Sequence, residues 1–290
     1  MDRPPTSHRT MGCPNSAGRQ APNPATTITF RFRQGRLRLI REKDSVLTRQ
    51  VHPLEIVCHR GANRYAPENT LAAAQLCVDW GADTVEIDVN TSADGVMYLF
   101  HGPELERTTD GVGRMANTPS SVIDQLDAGG RFGAHFAGTR IPRLEPFLDW
   151  ARGKCKLFLD VKYADAAALL DALDRTGTRK DVFVWSSFDD WTAEFVRLAP
   201  DVPVKVNVRD VAGVHAAADT VNARIVELGP ERLSRELVAA CRARGVRVMV
   251  NYMGDDAALV ETLVEADFDM INTDNADLWL AAARAAGRHA

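Results

Sequence analysis

No two cysteines in this chain lie close enough to read as a metal knuckle or a redox motif. Cys13, Cys58, Cys77, Cys155 and Cys241 make an odd number, widely spaced, with no C-x-x-C pair. That argues against a disulfide framework and a zinc site, and fits a reducing compartment. No apolar run approaches the roughly 20 residues that a membrane-spanning helix needs, and the first fifty residues lack the apolar stretch of a secretion signal. The expected location is therefore cytoplasmic, with no integral membrane segment. A G-x-G-x-x-G dinucleotide fingerprint is also missing. Nor is basic charge in excess: 35 Lys and Arg face 39 Asp and Glu, a net charge of −4. Nucleic acid is thus not an expected partner, and any site for a phosphate must be local.

What is present is enough for a large core. Of 290 residues, 45% are hydrophobic and 26% charged, ordinary values for a soluble globular protein. Residues 1–51, rich in Pro, Ser, Thr and Arg, read as a disordered or loosely ordered N-terminal extension with one strand near Thr26 to Phe32. From about His52 the pattern changes. Short runs rich in Val and Ile alternate with Ala-rich amphipathic runs, the signature of repeated strand–helix units around a parallel sheet.

Eight strand candidates follow one another: EIVCH, TVEIDVN, CKLFLDVK, DVFVWSS, VPVKVNV, RIVEL, VRVMVNY and FDMINTD. Helices read clearly at NTLAAAQLCVDWG, with Asn69 or Thr70 as cap and Gly81 as stop, and at ERLSRELVAACRARG, closed by Gly245. Eight such units over residues 52–290 predict an α/β fold, a closed (β/α)8 TIM barrel rather than an open doubly wound sheet. One run breaks the scheme. Met97 to Gly102, MYLFHG, follows the second strand too soon for a parallel crossover, so it must fold back as a hairpin turned near Asp94-Gly95. The registers considered set His101 across from an acid, either Asp88 or Glu86. The Gly-rich segment 103–143 that follows is too long for a simple connection and is expected to form a small cap that helps choose the leaving group. His135, within it, reads as a surface residue.

Strand ends carry the chemistry. IVCHRGANRYAPENT, Ile56 to Thr70, ends an apolar strand in His59, Arg60 and Gly61. Glu86 and Asp88 lie two apart, on one face of their strand, as do Asp160 and Lys162. In a barrel the inward groups at the C-terminal strand ends form the active site. Three carboxylates converging there repel one another unless a cation sits between them. Oxygen ligands without cysteine favour one divalent cation of the Mg2+ or Ca2+ kind. Cys58, next to His59, should point away from the site as a small packing residue.

HRG with APENT, then EIDV, T-x-x-DG, H-x-x-x-L-x-RTT-x-G-x-G and IPRLEPFLDW resembles the glycerophosphodiester phosphodiesterases, over roughly Ile56 to Leu278. The resemblance implies a metal-dependent hydrolysis of a glycerophosphodiester to an alcohol and glycerol 3-phosphate. Within it His59 and His101 match the catalytic general base and acid, and Glu86, Asp88 and Asp160 match the metal ligands. Arg60 and Lys162 match positions that contact the phosphate. The implied route runs through a cyclic phosphate, formed by the substrate's own neighbouring hydroxyl and then opened by water. Glu68 is expected to orient His59 or bind a ligand hydroxyl, and Asn69 to act as a helix cap rather than a contact.

Three departures from the family pattern stand out: Gly102 where an aspartate usually follows the second histidine, Asp160 in place of glutamate, and Val248 where a pocket-shaping tryptophan is common. They leave open a phosphodiesterase for sugar phosphodiesters or lysophospholipids, the latter phospholipase D-like. Cyclic phosphate release, as by the related sphingomyelinase D toxins, would be its extreme form. A catalytically silent barrel that binds phosphodiesters is the reading from another class. The expected partner is a small-molecule phosphodiester, and the sequence leaves a homo-oligomer open.

Overall fold

The structure, a computed structural model, describes residues 29–33, 36–40 and 52–290. Strand β1 (Thr29–Arg33) pairs antiparallel with β2 (Arg36–Ile40), so the single strand expected in the N-terminal extension is the first half of a hairpin. The rest of that extension, Cys13 included, lies outside the described residues.

The barrel begins with β3 (Glu55–Cys58) and β4 (Thr84–Thr91), and the short β5 (Met97–Leu99) folds back on β4. Six more parallel strands follow: β6 (Lys156–Val161), β7 (Val182–Ser186), β8 (Lys205–Asn207), β9 (Ile225–Leu228), β10 (Arg247–Asn251) and β11 (Met270–Thr273). Every one of the eight expected barrel strands is there. Their order round the barrel is β7-β6-β4-β3-β11-β10-β9-β8. A single parallel bridge, Val184 to Val204, brings β7 back to the foot of β8 and nearly closes the ring.

Helix α1 (Leu71–Trp80) shows why such elements start and stop where they do. The Thr70 hydroxyl accepts the Ala73 N–H at 3.3 Å, and Gly81 ends the helix with a φ of 77°, a conformation that costs glycine nothing. Helices α2 (Ser120–Ile123) in the cap, α3 (Leu144–Ala151), α4 (Ala166–Thr176), α5 (Asp189–Leu198), α6 (Val211–Val221), α7 (Arg235–Ala243), α8 (Ala257–Leu263) and α9 (Ala276–Ala285) complete the list. Helix α7 starts later than expected because Ser234, not the preceding run, caps it by accepting the Leu237 N–H.

Alternation along the strands divides the core in two. On β4, Val85, Ile87 and Val89 face the helices, within one large buried cluster. Thr84, Glu86, Asp88 and Asn90, the other parity, face the barrel interior. Below the mouth the interior is plugged by Val57, Phe158, Phe183, Ile225, Met249 and Met270. Cys58 and Val248 are both fully buried in the outer cluster. Cys58 is therefore a packing residue, and the substitution at Val248 faces the helix layer rather than the pocket. The cap carries its own small core of Tyr98, Phe100, Leu105, Met115, Ile123, Ala128 and Ile141, and His135 on it is exposed.

The hairpin register differs from both versions considered. Thr91 pairs with Met97 and Val89 with Leu99, so five residues separate the strands and the register slips by one. His101 lies beyond β5, level with Ile87 rather than an acid, and the Phe100 N–H bonds the Asp88 carbonyl at 2.9 Å. The extra loop residue serves an anchor: Asp94 accepts the Ser92 hydroxyl at 2.7 Å and both the Ser120 N–H and hydroxyl, at 2.8 and 2.6 Å. These bonds tie the hairpin to the start of α2 and hold the Asp94 carboxyl down to about 2.

Candidate active site

Two strands deliver the three acids. Glu86 and Asp88 on β4 are 1% and 0% exposed, and Asp160 on β6 is level with Asp88 in the ladder. One oxygen from each lies within 4.8 Å of the others. Glu86 Oε1, Asp88 Oδ1 and Asp160 Oδ1 are buried and make no hydrogen bond. A buried carboxylate oxygen without a hydrogen bond is costly, so three converging acids that each keep one fit a shared cation. Burial, ahead of repulsion from Asp88 and Asp160, pushes Glu86 well above the usual carboxylate range. Burial likewise raises Asp160, with Lys162 pulling the other way.

Cations hold the remaining oxygens. Arg60 gives its backbone N–H to Glu86 Oε2 at 2.5 Å, and its Nε lies 3.2 Å from Asp88 Oδ2. Lys162 Nζ is 2.6 Å from Asp160 Oδ2 and 3.1 Å from Asp88 Oδ1, the latter an ion-pair contact off the hydrogen-bond line. Although burial works against them, Asp88 and Asp160 hold the Lys162 ammonium above its ordinary range. Arg60 has a φ of 56°, a left-handed backbone that a side chain resists. The bonds to Glu86, Asp88 and Glu68 keep it there.

The two histidines are held differently. His59 ends β3, and its Nδ1 lies 2.7 Å from Asp274 Oδ1, just past the end of β11. Asn63 also donates to that oxygen. Burial would raise the Asp274 carboxyl, but His59 and Asn63 hold it below the usual range. His101 is pushed down to about 4 by burial, with Arg60, Lys162 and Arg107 adding to the fall and Asp88 opposing it. Its Nδ1 is buried with no partner. His101 shares a small cavity with Glu68, Asn69, Phe100 and Thr108 at the edge of the cap.

Two expectations change. Asn69 is not the helix cap, a task that Thr70 performs. Its amide instead donates to Asp88 Oδ2 at 2.7 Å and accepts the Asp88 N–H at 2.9 Å. Glu68 does not orient His59. It sits between two arginines, with Arg60 Nη1 at 3.3 Å and Arg107 Nη1 and Nη2 at 2.6 and 3.1 Å. It thereby ties the cap to the barrel. Sequence reasoning missed Asp274, although INTDN sits at the end of the last strand, where inward polar groups gather. It also missed Lys205 and Glu227, buried on β8 and β9 and paired at 2.5 Å.

A barrel mouth that joins an unsatisfied carboxylate triad to two imidazoles and two anion-ready cations belongs to the metal-assisted hydrolases of charged esters. The glycerophosphoryl diester phosphodiesterase family model matches residues 59–278, and the chain belongs to that family of phosphoric diester hydrolases. A glycerophosphodiester phosphodiesterase of Caldanaerobacter subterraneus is 28% identical over 246 residues, 80% of this chain and 98% of the relative. The crystal structure of a glycerophosphodiester phosphodiesterase from Agrobacterium tumefaciens superposes with a TM-score of 0.76 at 38% identity, covering 79% of this chain and 99% of that one. An Oleispira antarctica phosphodiesterase, solved with its product sn-glycerol-3-phosphate, superposes with a TM-score of 0.73 at 26% identity, covering 80% and 97%. Among the described residues no helix is long and apolar enough to cross a membrane.

Proposed function

We propose that the chain hydrolyses glycerophosphodiesters to an alcohol and glycerol 3-phosphate with one divalent cation, using His59 and His101 as the acid–base pair. One observation carries the reading: one oxygen from each of Glu86, Asp88 and Asp160 lies within 4.8 Å of the others, and each acid has a buried oxygen that makes no hydrogen bond, beside Arg60 and Lys162. A divalent cation held there supplies charge neutralisation and Lewis acidity, and the all-oxygen donor set suits Mg2+ or Ca2+.

The residues divide the work as follows. Arg60 and Lys162 bind the phosphate oxygens. His59, its Nδ1 held 2.7 Å from Asp274, takes the proton of the hydroxyl next to the ester as that oxygen attacks phosphorus. The P–O bond to the leaving alcohol breaks, and His101 gives that oxygen a proton. Asp274, facing Nδ1, stabilises the charge that His59 gains in the transfer. The cyclic phosphate is then opened by water with the two roles reversed, leaving a phosphomonoester.

The test is a panel of glycerophosphodiesters, sugar phosphodiesters and lysolipids incubated with Mg2+ or Ca2+ and with chelator, the products read by phosphorus NMR. Chelator-sensitive release of glycerol 3-phosphate is expected. No turnover of any diester with either metal would leave only phosphodiester binding. One observation favours a second reading, lysophospholipid cleavage. The exposed large apolar side chains among the described residues all lie at the end where the strands finish or in the cap, Val112, Phe132, Tyr163 and Phe188 among them. Faster cleavage of a lysophospholipid above its micelle concentration than below would support that reading.

A further inference from the structure

Glu68 is shared unequally between two arginines, one in the cap and one in the site. Arg107 ends a short 3-10 turn of the cap, Leu105–Arg107. It meets the carboxylate with both ends of its guanidinium, Nη1 to Oε1 at 2.6 Å and Nη2 to Oε2 at 3.1 Å. Arg60 offers Nη1 alone, 3.3 Å from each oxygen. Hydrogen bonds between a guanidinium and a carboxylate are strongest at about 2.7–2.9 Å and in such a two-by-two pair. The carboxylate is therefore aligned on Arg107, with Arg60 at the edge of its reach.

Arg60 keeps most of its donors in hand as a result. Its Nε is buried, 3.2 Å from Asp88 Oδ2 but without a hydrogen bond, and among the described residues its Nη2 makes none either. A guanidinium receives phosphate oxygens through such uncommitted N–H groups. Glu68 itself cannot withdraw. The N–H of Asn69, the next residue, bonds the Arg60 carbonyl at 3.0 Å, and the Asn69 amide is bonded twice to Asp88, so only the Glu68 side chain can turn. The space for Arg107 comes from Gly102, where a Cβ would stand 3.3 Å from Arg107 Cδ and press on the arginine's stem.

We propose that Arg107 is a positioning residue for the reaction: by holding the Glu68 carboxylate it keeps that acid from closing on Arg60, and so leaves the Arg60 guanidinium open to the phosphate. The inference rests on the phosphate-binding role given to Arg60 above. Once Arg107 is removed, the cation that remains beside Glu68 among the described residues is Arg60. The carboxylate then turns onto it and makes the paired contact that the phosphate would otherwise make, so substrate has to displace it. A tie that merely steadied the cap would have no such consequence, because losing it adds no competitor for phosphate.

The test compares Arg107→Ala with the double variant that adds Glu68→Gln. Each is assayed for KM and kcat on glycerophosphocholine with Mg2+ or Ca2+, and for glycerol 3-phosphate affinity by titration calorimetry; melts followed by circular dichroism check folding. Arg107→Ala is expected to raise KM and weaken glycerol 3-phosphate about tenfold, the scale of one charge-assisted hydrogen bond, with the loss carried by KM rather than kcat. Glu68→Gln removes the competing charge, so the double variant should recover most of that loss even though the tie between cap and barrel is now gone altogether. An unchanged KM in folded Arg107→Ala would overturn the proposal. So would a raised KM that Glu68→Gln does not recover, since Arg107 would then meet the substrate itself or only steady the cap. Absence of turnover by the wild type with either metal is a separate result. It sinks the phosphodiesterase reading, while the glycerol 3-phosphate titrations still decide the role of Arg107; a wild type that does not bind this ligand overturns both.

Discussion

His59 and His101 differ in what surrounds them, and the difference sets separate expectations. Replacing either by alanine removes one proton transfer, worth roughly 10²- to 10⁴-fold in kcat. Neither is a core packing residue, so melting temperatures should stay close to wild type, and a variant that keeps full turnover would remove that histidine from the mechanism. Asp274→Asn withdraws the carboxylate 2.7 Å from Nδ1, so the imidazolium loses its support. Turnover should then fall by roughly 10²- to 10⁴-fold with the melting temperature close to wild type; an unchanged kcat would detach Asp274 from the reaction. At this scale the sequence was legible where parity and strand ends announced a residue, as for Glu86, Asp88 and Asp160. Asp274 was less so, because its role depends on β11 lying beside β3, a neighbour 215 positions away that local pattern does not reveal. Asn69 misled for a related reason. A helix-capping residue type stood one position before the true cap, and only the folded chain brings it against Asp88.

The turn between β3 and α1 is the element on which the site most depends. Cys58, His59, Arg60 and Gly61 must leave the sheet sharply enough for Arg60 to reach Glu86 through its backbone and Asp88 through its side chain. Gly61 has a φ of 79°, and a Cβ there would sit 2.8 Å from Ala73 Cβ and 2.9 Å from the Ala73 carbonyl carbon. Gly61→Ala therefore meets both a left-handed backbone, costing about 1–2 kcal/mol, and a helix that cannot yield. We expect a loss of at least about 2 kcal/mol in chemical denaturation. Activity of the surviving folded fraction should fall too, because relief of the clash moves Arg60 and His59. A variant as stable as wild type would show that α1 can shift freely. Elements were easier to read than their registers. All eight strands could be found from apolar runs, yet the hairpin slipped by one residue. Turn residues alone suggested a short connection, whereas Asp94 needs a longer loop to reach Ser120.

Around the acidic cluster, negative charge exceeds positive. Six carboxylates, those of Glu68, Glu86, Asp88, Asp160, Glu227 and Asp274, face four cations, Arg60, Arg107, Lys162 and Lys205. A bound divalent cation offsets that excess. Without it, burial and mutual repulsion raise the Glu86 and Asp160 carboxyls, so the folded metal-free protein holds those protons more tightly than the unfolded chain. The sign follows from proton linkage. A carboxyl raised on folding contributes stability at acid pH that is lost as pH climbs from the unfolded value toward the raised one. The metal-free protein should therefore lose stability from these two groups between mildly acidic and neutral pH. A bound cation requires the ionised forms, so its stabilisation runs the opposite way. At a hundredfold excess over its dissociation constant it should add about 2.7 kcal/mol, or roughly 5–10 °C in melting temperature for a chain of this size. Calorimetric melts with Mg2+, with Ca2+ and with chelator at pH 5 and pH 8 test this directly. The metal-dependent rise should be larger at pH 8, and Glu86→Gln should shrink it at pH 8. A rise that is independent of pH, or equally large in the variant, would place the bound ion somewhere other than between these three acids.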